Sequence, residues 1–269
     1  MEMALALTAR RLRRVVARWR RRGPSGFDHE IAYWDEYFRT KGSDNADDWR
    51  ARTSEEGRKG VYPTHFEPFL AELRTHFPGE GIQVLDVGSG PISVLTWGHE
   101  QGLFRLACID PLGEEYKRLM GKHSMPCPVD LLPGKGEDLD YNASFHAVHC
   151  QNALDHTQDP GLVVRNMVRA LVPGGLLMVW SAKGEGSRTD WTGLHQHDLD
   201  LDGTDILLAT KGRSARKITR DLPLRLMWSD QWGPTKSGRH CFAVVYEKTG
   251  EQSPAAARDE RNGAETSER

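Results

Sequence analysis

The run Val84-Leu85-Asp86-Val87-Gly88-Ser89-Gly90-Pro91 is an apolar stretch that ends in a Gly-x-Gly turn and leads into an amphipathic segment from Ile92. Glycines at such a turn let the backbone come close to a ligand, and the start of the following helix offers free N–H groups. Twenty residues past Gly90, Asp110 closes the next apolar run. A carboxylate there can accept both hydroxyls of a ribose. Ser93 stands where G-x-G-x-x-G needs its third glycine, and Pro91 directly follows the second, so the dinucleotide pyrophosphate fingerprint is broken. Asp86, inside the strand end, suits a ligand that carries a positively charged amine. Two further groups have the residue types for proton transfer: Asn152, Asp155 and His156, and the stretch Gly193-Leu194-His195-Gln196-His197-Asp198. Histidine is the commonest general base near neutral pH.

Plainer roles compete for these histidines. His156 lies close enough to Asp159-Pro160 to serve in capping a helix, beside the capping oxygens of Asp155 and Thr157. His195 and His197 have a spacing that could hold a metal on a strand, but no further His/Cys ligand set is evident and no metal is assigned. His146 and His149 alternate with apolar strand residues and read as structural.

The elements that position these residues follow from periodicity. Short apolar runs at 82–87, 106–109, 147–150, 176–180, 224–228 and 241–246 alternate with amphipathic stretches at 92–101, 114–120 and 162–171. Alternating strand and helix imply an α/β domain, 81–248, with a mostly parallel sheet covered on both faces, and the last two runs read as an antiparallel hairpin. Residues 23–80 read as a helical cap ahead of this domain, with Trp34 and Phe38 one turn apart for packing. A Gly/Ser-rich loop, 183–191, could act as a lid. Arg213, Arg216, Lys217 and Arg220 read as a solvated helix face, and residues 249–269 as a disordered tail.

The stretch around Gly88 resembles motif I of class I S-adenosylmethionine-dependent methyltransferases. Gly136-Glu137-Asp138-Leu139 is similar to the family's segment after the third strand, the run from Phe145 to Pro160 to its fourth strand and following loop, and Leu171-Val172-Pro173-Gly174-Gly175 to the turn before its fifth strand. The resemblance implies a Rossmann-like methyltransferase fold, a seven-stranded mostly parallel sheet of order 3-2-1-4-5-7-6, with S-adenosyl-L-methionine as methyl donor. It puts Asp86, Gly88 and Gly90 around the methionine moiety, Asp110 on the ribose and Glu137 at the adenine edge, with Asn152 also on the cofactor side. Lys135 stands where many relatives carry an acid that reaches the adenine amine. Asp155, His156 and His195 become the catalytic candidates, because a hydroxyl acceptor needs a group to take its proton. Asn-Ala-Leu-Asp-His followed by Leu-His-Gln resembles a branch associated with bacterial glycan and natural-product pathways, so the expected acceptor is a small molecule or glycan, methylated on oxygen.

Charge distribution limits the alternatives. The chain has 269 residues and a formal net charge of −2, but residues 1–22 hold eight arginines and one acid, so a basic arm of about +7 precedes a body of about −9. The arm reads as an amphipathic helix, with Leu5, Leu12, Val15, Val16 and Trp19 on one face, able to meet a membrane surface or an acidic partner. The acidic body argues against gripping nucleic acid over the whole surface. Two rival readings are an RNA or protein methyltransferase recruited by the arm, and a catalytically silent cofactor-binding protein. The four widely spaced cysteines, and an N-terminus without a secretory h-region, give the expectation of a reduced, cytoplasmic protein.

Overall fold

The computed structural model describes residues 26–40, 66–79, 81–125, 127–235 and 237–250, together with positions 56 and 59. The basic arm, most of 41–65 and the tail beyond 250 lie outside the described residues. In chain order the elements are α1 (Gly26–Thr40), α2 (Phe66–His76), β1 (Gln83–Val87), α3 (Thr96–Glu100), β2 (Arg105–Asp110), α4 (Gly113–Lys122), β3 (Leu131–Pro133), β4 (Phe145–Gln151), α5 (Pro160–Ala170), β5 (Leu171–Ala182), α6 (Glu185–Arg188), β6 (His197–Asp202), β7 (Asp205–Thr210), β8 (Arg213–Lys217), β9 (Leu224–Trp232) and β10 (Cys241–Lys248).

Seven strands form one sheet in the order β3-β2-β1-β4-β5-β10-β9. The first five are parallel, while β10 runs antiparallel to both β5 and β9. This is the expected Rossmann-like order, with the last two strands of the chain closing the sheet. A central parallel strand is covered on both faces, so it reads as a nearly continuous apolar run. Accordingly Val84, Leu85, Ala147, Val148, Leu177 and Val179 are all buried. One face packs against α1, α2, α3 and α4 through Trp34, Phe38, Leu70, Leu95 and Tyr116. The other packs against α5 and an added sheet through Val163, Met167, Leu199, Ile206 and Leu208.

Local chemistry accounts for the helices that matter most. Asp159 caps α5 by accepting from the Leu162 amide at 3.1 Å, and Pro160 begins the helix where its missing N–H costs nothing. Val163, Val164, Met167 and Val168 then fall on the buried side. Helix α1 is anchored at its middle. Trp34 meets Tyr116 of α4 edge to face at 6.2 Å, and Asp35 accepts from Lys122 and His123 at 2.7 and 2.8 Å.

The added sheet corrects one expectation. The run from Arg213 is not a helix face: Arg213–Lys217 is β8, the outer strand of a three-stranded antiparallel sheet, β6-β7-β8. Leu207 and Leu208 pair with Lys217 and Arg216, and Arg216 reaches Asp159 at 3.2 Å. Charged side chains on an edge strand keep it from pairing with another chain.

Candidate active site

A cavity of about 520 Å3 lies at the C-terminal ends of β1, β2 and β4, roofed by the start of α1 and by the loop at 193–197. That volume is within the roughly 300–1,000 Å3 of small-molecule sites. Its position matches the rule that ligands in open α/β sheets bind beyond the carboxyl ends of the strands. Gly26, Phe27 and Glu30 of α1 face it, although nothing in their sequence marks them as site residues. The roof is closely seated, since a Cβ on Gly26 would meet Leu194 Cδ2 at 2.5 Å.

At one end of the cavity stands Asp110. Its two oxygens accept from the Gly90 and Leu112 amides at 3.1 and 2.9 Å. Burial pushes its pKa up to about 7, against the pull of those two amides. Beside it, Gly88 has a positive φ of 69°, and a Cβ there would meet the Ala153 Cβ at 2.4 Å. Only glycine fits both the conformation and the space.

Beside the cavity, residues distant in sequence converge, and of the three His156 lines it. Asp155 Oδ2 and His195 Nδ1 are 2.6 Å apart, His195 Nδ1 and His156 Nε2 are 3.1 Å apart, and His156 Nε2 lies 3.5 Å from Asp155 Oδ2. Asp155 is buried, while both histidines are partly open. The hydrogen bond to Asp155 raises the His195 pKa above its ordinary value, with burial opposing it. The loop is stitched down directly after His195. Gln196 N donates to the Asp155 carbonyl at 3.0 Å, and His197 Nε2 meets the Thr157 carbonyl at 2.9 Å. His197 Nδ1 is engaged by Thr210 Oγ1 at 2.7 Å, and burial lowers its pKa. The fold therefore separates the two histidines of His195-x-His197: His197 fastens the loop and His195 joins Asp155 and His156.

Residues 85–179 match a family model described as a methyltransferase domain. The chain carries a methyltransferase domain. Among curated proteins, the chain is 36% identical over 103 residues to a ubiquinone biosynthesis O-methyltransferase of Xanthomonas oryzae pv. oryzae, covering 37% of this chain and 42% of that one. It is 30% identical over 135 residues to the protein of the same name from Xanthomonas axonopodis pv. citri, covering 49% and 54%. The chain thus spans about half the length of the curated relatives it matches. Among solved structures, the N-methyltransferase NodS from Bradyrhizobium japonicum WM9 in complex with S-adenosyl-L-homocysteine aligns with TM-score 0.49 and 14% identity, over 82% of this chain and 98% of that one.

The methyltransferase domain's cofactor is S-adenosylmethionine, and the cavity has donors and acceptors that fit it. Each Asp110 oxygen takes one backbone N–H, which leaves acceptor capacity on both oxygens for a ribose diol at the cavity wall. The Gly88 backbone, free of a Cβ, supplies the close approach. The other residues expected at the cofactor divide into two groups. Glu137 lines the cavity, and its side chain accepts from the Gln158 and Asp159 amides at 2.7 and 3.4 Å. Its carbonyl and that of Gly136 accept from Asn166 Nδ2 at 2.9 and 3.1 Å. Lys135 also lines the cavity, and burial lowers its pKa.

Asp86 and Asn152 instead brace the site from behind. Asp86 is buried, with one oxygen on Ser93 Oγ at 2.5 Å and the other on His149 Nδ1 at 2.8 Å. It holds the turn that follows β1 against β4. Asn152 has a positive φ of 48° and accepts from the Ala182 amide at 2.8 Å, tying the loop after β4 to the end of β5. Neither residue is on the cavity wall. His156 is, and the cap of α5 is Asp159 rather than His156.

Proposed function

We propose that the protein methylates an oxygen of a small-molecule acceptor, in a glycan or natural-product pathway. One observation carries this reading. A single cavity borders both the Asp110 carboxylate and the Asp155, His156, His195 cluster through His156, so a nucleoside end and a proton-accepting end share one space. The O-methyltransferase names of the curated relatives support oxygen as the acceptor atom.

Asp110 holds the ribose, the backbone at Gly88 lies along the methionine side, and Glu137 with Lys135 borders the base. When bound, S-adenosylmethionine supplies a methyl group on a sulfonium and departs as S-adenosylhomocysteine. The protein has little covalent work left, because the donor is already activated and rate depends on holding the acceptor in line at near-attack distance. Phe27, Gly193 and Leu194 line the cavity on the side left for the acceptor. The acceptor hydroxyl rests against the His156 side of the cluster, which takes up the charge of its proton as the new C–O bond forms. Asp155 orients His195 and raises its proton affinity.

The basic segment 1–22 has a location role, meeting an anionic membrane surface or acidic partner. Among the described residues no helix is long and apolar enough to cross a membrane. The four cysteines are free thiols, Cys127 exposed among them, which supports a reducing, cytoplasmic setting.

Labelled methyl transfer to candidate hydroxyl acceptors, with His156→Ala and His195→Ala assayed separately, tests the reading. The expected result is a fall in turnover of about 100-fold or more in at least one variant, with S-adenosylhomocysteine affinity retained. Full turnover in both variants overturns it.

A further inference from the structure

The cluster of Asp155, His156 and His195 has more ligand atoms than its protons can serve. Three atoms face one another, Asp155 Oδ2, His156 Nε2 and His195 Nδ1, at separations of 2.6, 3.1 and 3.5 Å. If His195 Nδ1 donates to the carboxylate, its one hydrogen is committed at 2.6 Å, and His156 Nε2 at 3.1 Å faces an N–H already in use. Were His156 Nε2 to carry a hydrogen as well, two N–H groups would oppose each other at that distance. Every tautomer leaves one short contact without a full hydrogen bond.

A cation resolves all three contacts together. Atoms bound to one first-row divalent ion at about 2.1 Å lie roughly 3.0 Å apart at right angles and 3.4 Å apart in a tetrahedron. A triangle with the observed sides has a circumradius of about 1.8 Å, so a point about 2.1 Å from all three atoms lies about 1 Å off their plane; the 3.1 and 3.5 Å edges match those separations, and the 2.6 Å edge has to open by about 0.4 Å to reach a right angle. Among the described residues, Asp155, His156 and His195 form a group of His, Cys, Asp or Glu side chains whose ligand atoms lie close enough together to hold a metal ion.

We propose that Asp155, His156 and His195 hold a divalent transition-metal ion, bound on one face and open on the other toward the acceptor. Two imidazoles with one carboxylate favour ions such as zinc, iron(II) or manganese over magnesium or calcium, which prefer all-oxygen sets. The two contacts just after His195, from Gln196 to the Asp155 carbonyl and from His197 to the Thr157 carbonyl, fix the ligand loop without occupying a ligand atom. His156 is on the cavity wall, which puts the cluster beside the space for the acceptor. This rests on the methyl-transfer reading but replaces the proton-accepting role of the cluster with that of ligands, since a nitrogen bound to an ion has no lone pair left for a proton, and it adds a class of acceptor, one that presents an oxygen, or two neighbouring oxygens, to a metal ion.

The test uses untagged full-length protein stripped with a chelator, because a polyhistidine tag would itself bind the probes. Zinc is titrated calorimetrically and cobalt(II) by its visible absorption, with S-adenosylhomocysteine titrated on the same preparation. The expected result is one equivalent of zinc, a cobalt spectrum typical of mixed nitrogen and oxygen ligands, and loss of stoichiometric binding in both His156→Ala and His195→Ala. Those two side chains are partly exposed, and circular dichroism checks that each variant is folded. No stoichiometric uptake of either ion overturns the inference, as does unchanged uptake in both variants. Protein that binds S-adenosylhomocysteine but neither ion overturns the metal site and leaves methyl transfer standing; protein that binds one ion but no S-adenosylhomocysteine supports the metal site while removing the methyl-transfer reading.

Discussion

Asp155 and His195 are 40 residues apart in the chain and 2.6 Å apart in the structure. The contact joins the turn after β4, where Asp155 is buried, to the loop before β6. Replacing Asp155 with Asn keeps the shape and removes the charge. Asp155→Asn is expected to lower turnover by about 100-fold while S-adenosylhomocysteine affinity stays within a few-fold. Parallel loss of affinity and turnover would point instead to a collapsed loop.

The raised pKa of Asp110 has a measurable consequence. Its folded value of about 7 stands above the ordinary 3.8, so the buried carboxyl is most favourable to the fold when protonated, and that contribution disappears as pH rises through about 7. Ribose hydroxyls need the ionised form as acceptor. Cofactor-product affinity, measured by calorimetry, is therefore expected to strengthen by about tenfold between pH 6 and pH 8. In Asp110→Asn binding is weaker and nearly flat with pH. A variant that retained the wild-type slope would assign the titration to another group.

Gly88 tests the cradle. Gly88→Ala forces a side chain into a left-handed backbone position and against Ala153, at an expected cost of about 1–3 kcal/mol in thermal unfolding together with loss of cofactor binding. Adding Ala153→Gly relieves the clash but not the backbone strain, so stability should return only in part. Complete recovery in the double variant would mean that the contact alone matters.

Deleting residues 1–22 should spare turnover on a soluble acceptor and weaken association with vesicles containing anionic lipid. Flotation assays read the second effect. A truncated protein that no longer binds S-adenosylhomocysteine would show the arm to be part of the folded domain.

Much of this protein was legible from local pattern. The β1 turn and Asp110 announce themselves because a tight turn needs glycine and a parallel core strand needs a continuous apolar run, both of which are written within a few adjacent residues. Trp34 and Phe38 were legible as packing residues for the same reason, through helical spacing. The strand at Arg213–Lys217 was not, because its hydrogen bonds come from β7 and its charged edge position imitates a solvated helix. Likewise Asp86 bears the family's motif yet lies behind the cavity wall, since its partners Ser93 and His149 are brought to it by the turn after β1 and by β4. The sequence by itself determined the strands and the tight turn after β1, where each requirement is met by neighbours in the chain, and the strand order implied by the resemblance is the one observed. Only the tertiary structure decided that His195 and not His197 joins Asp155 and His156, because that choice depends on where β6 begins and on hydrogen bonds between segments some 40 residues apart.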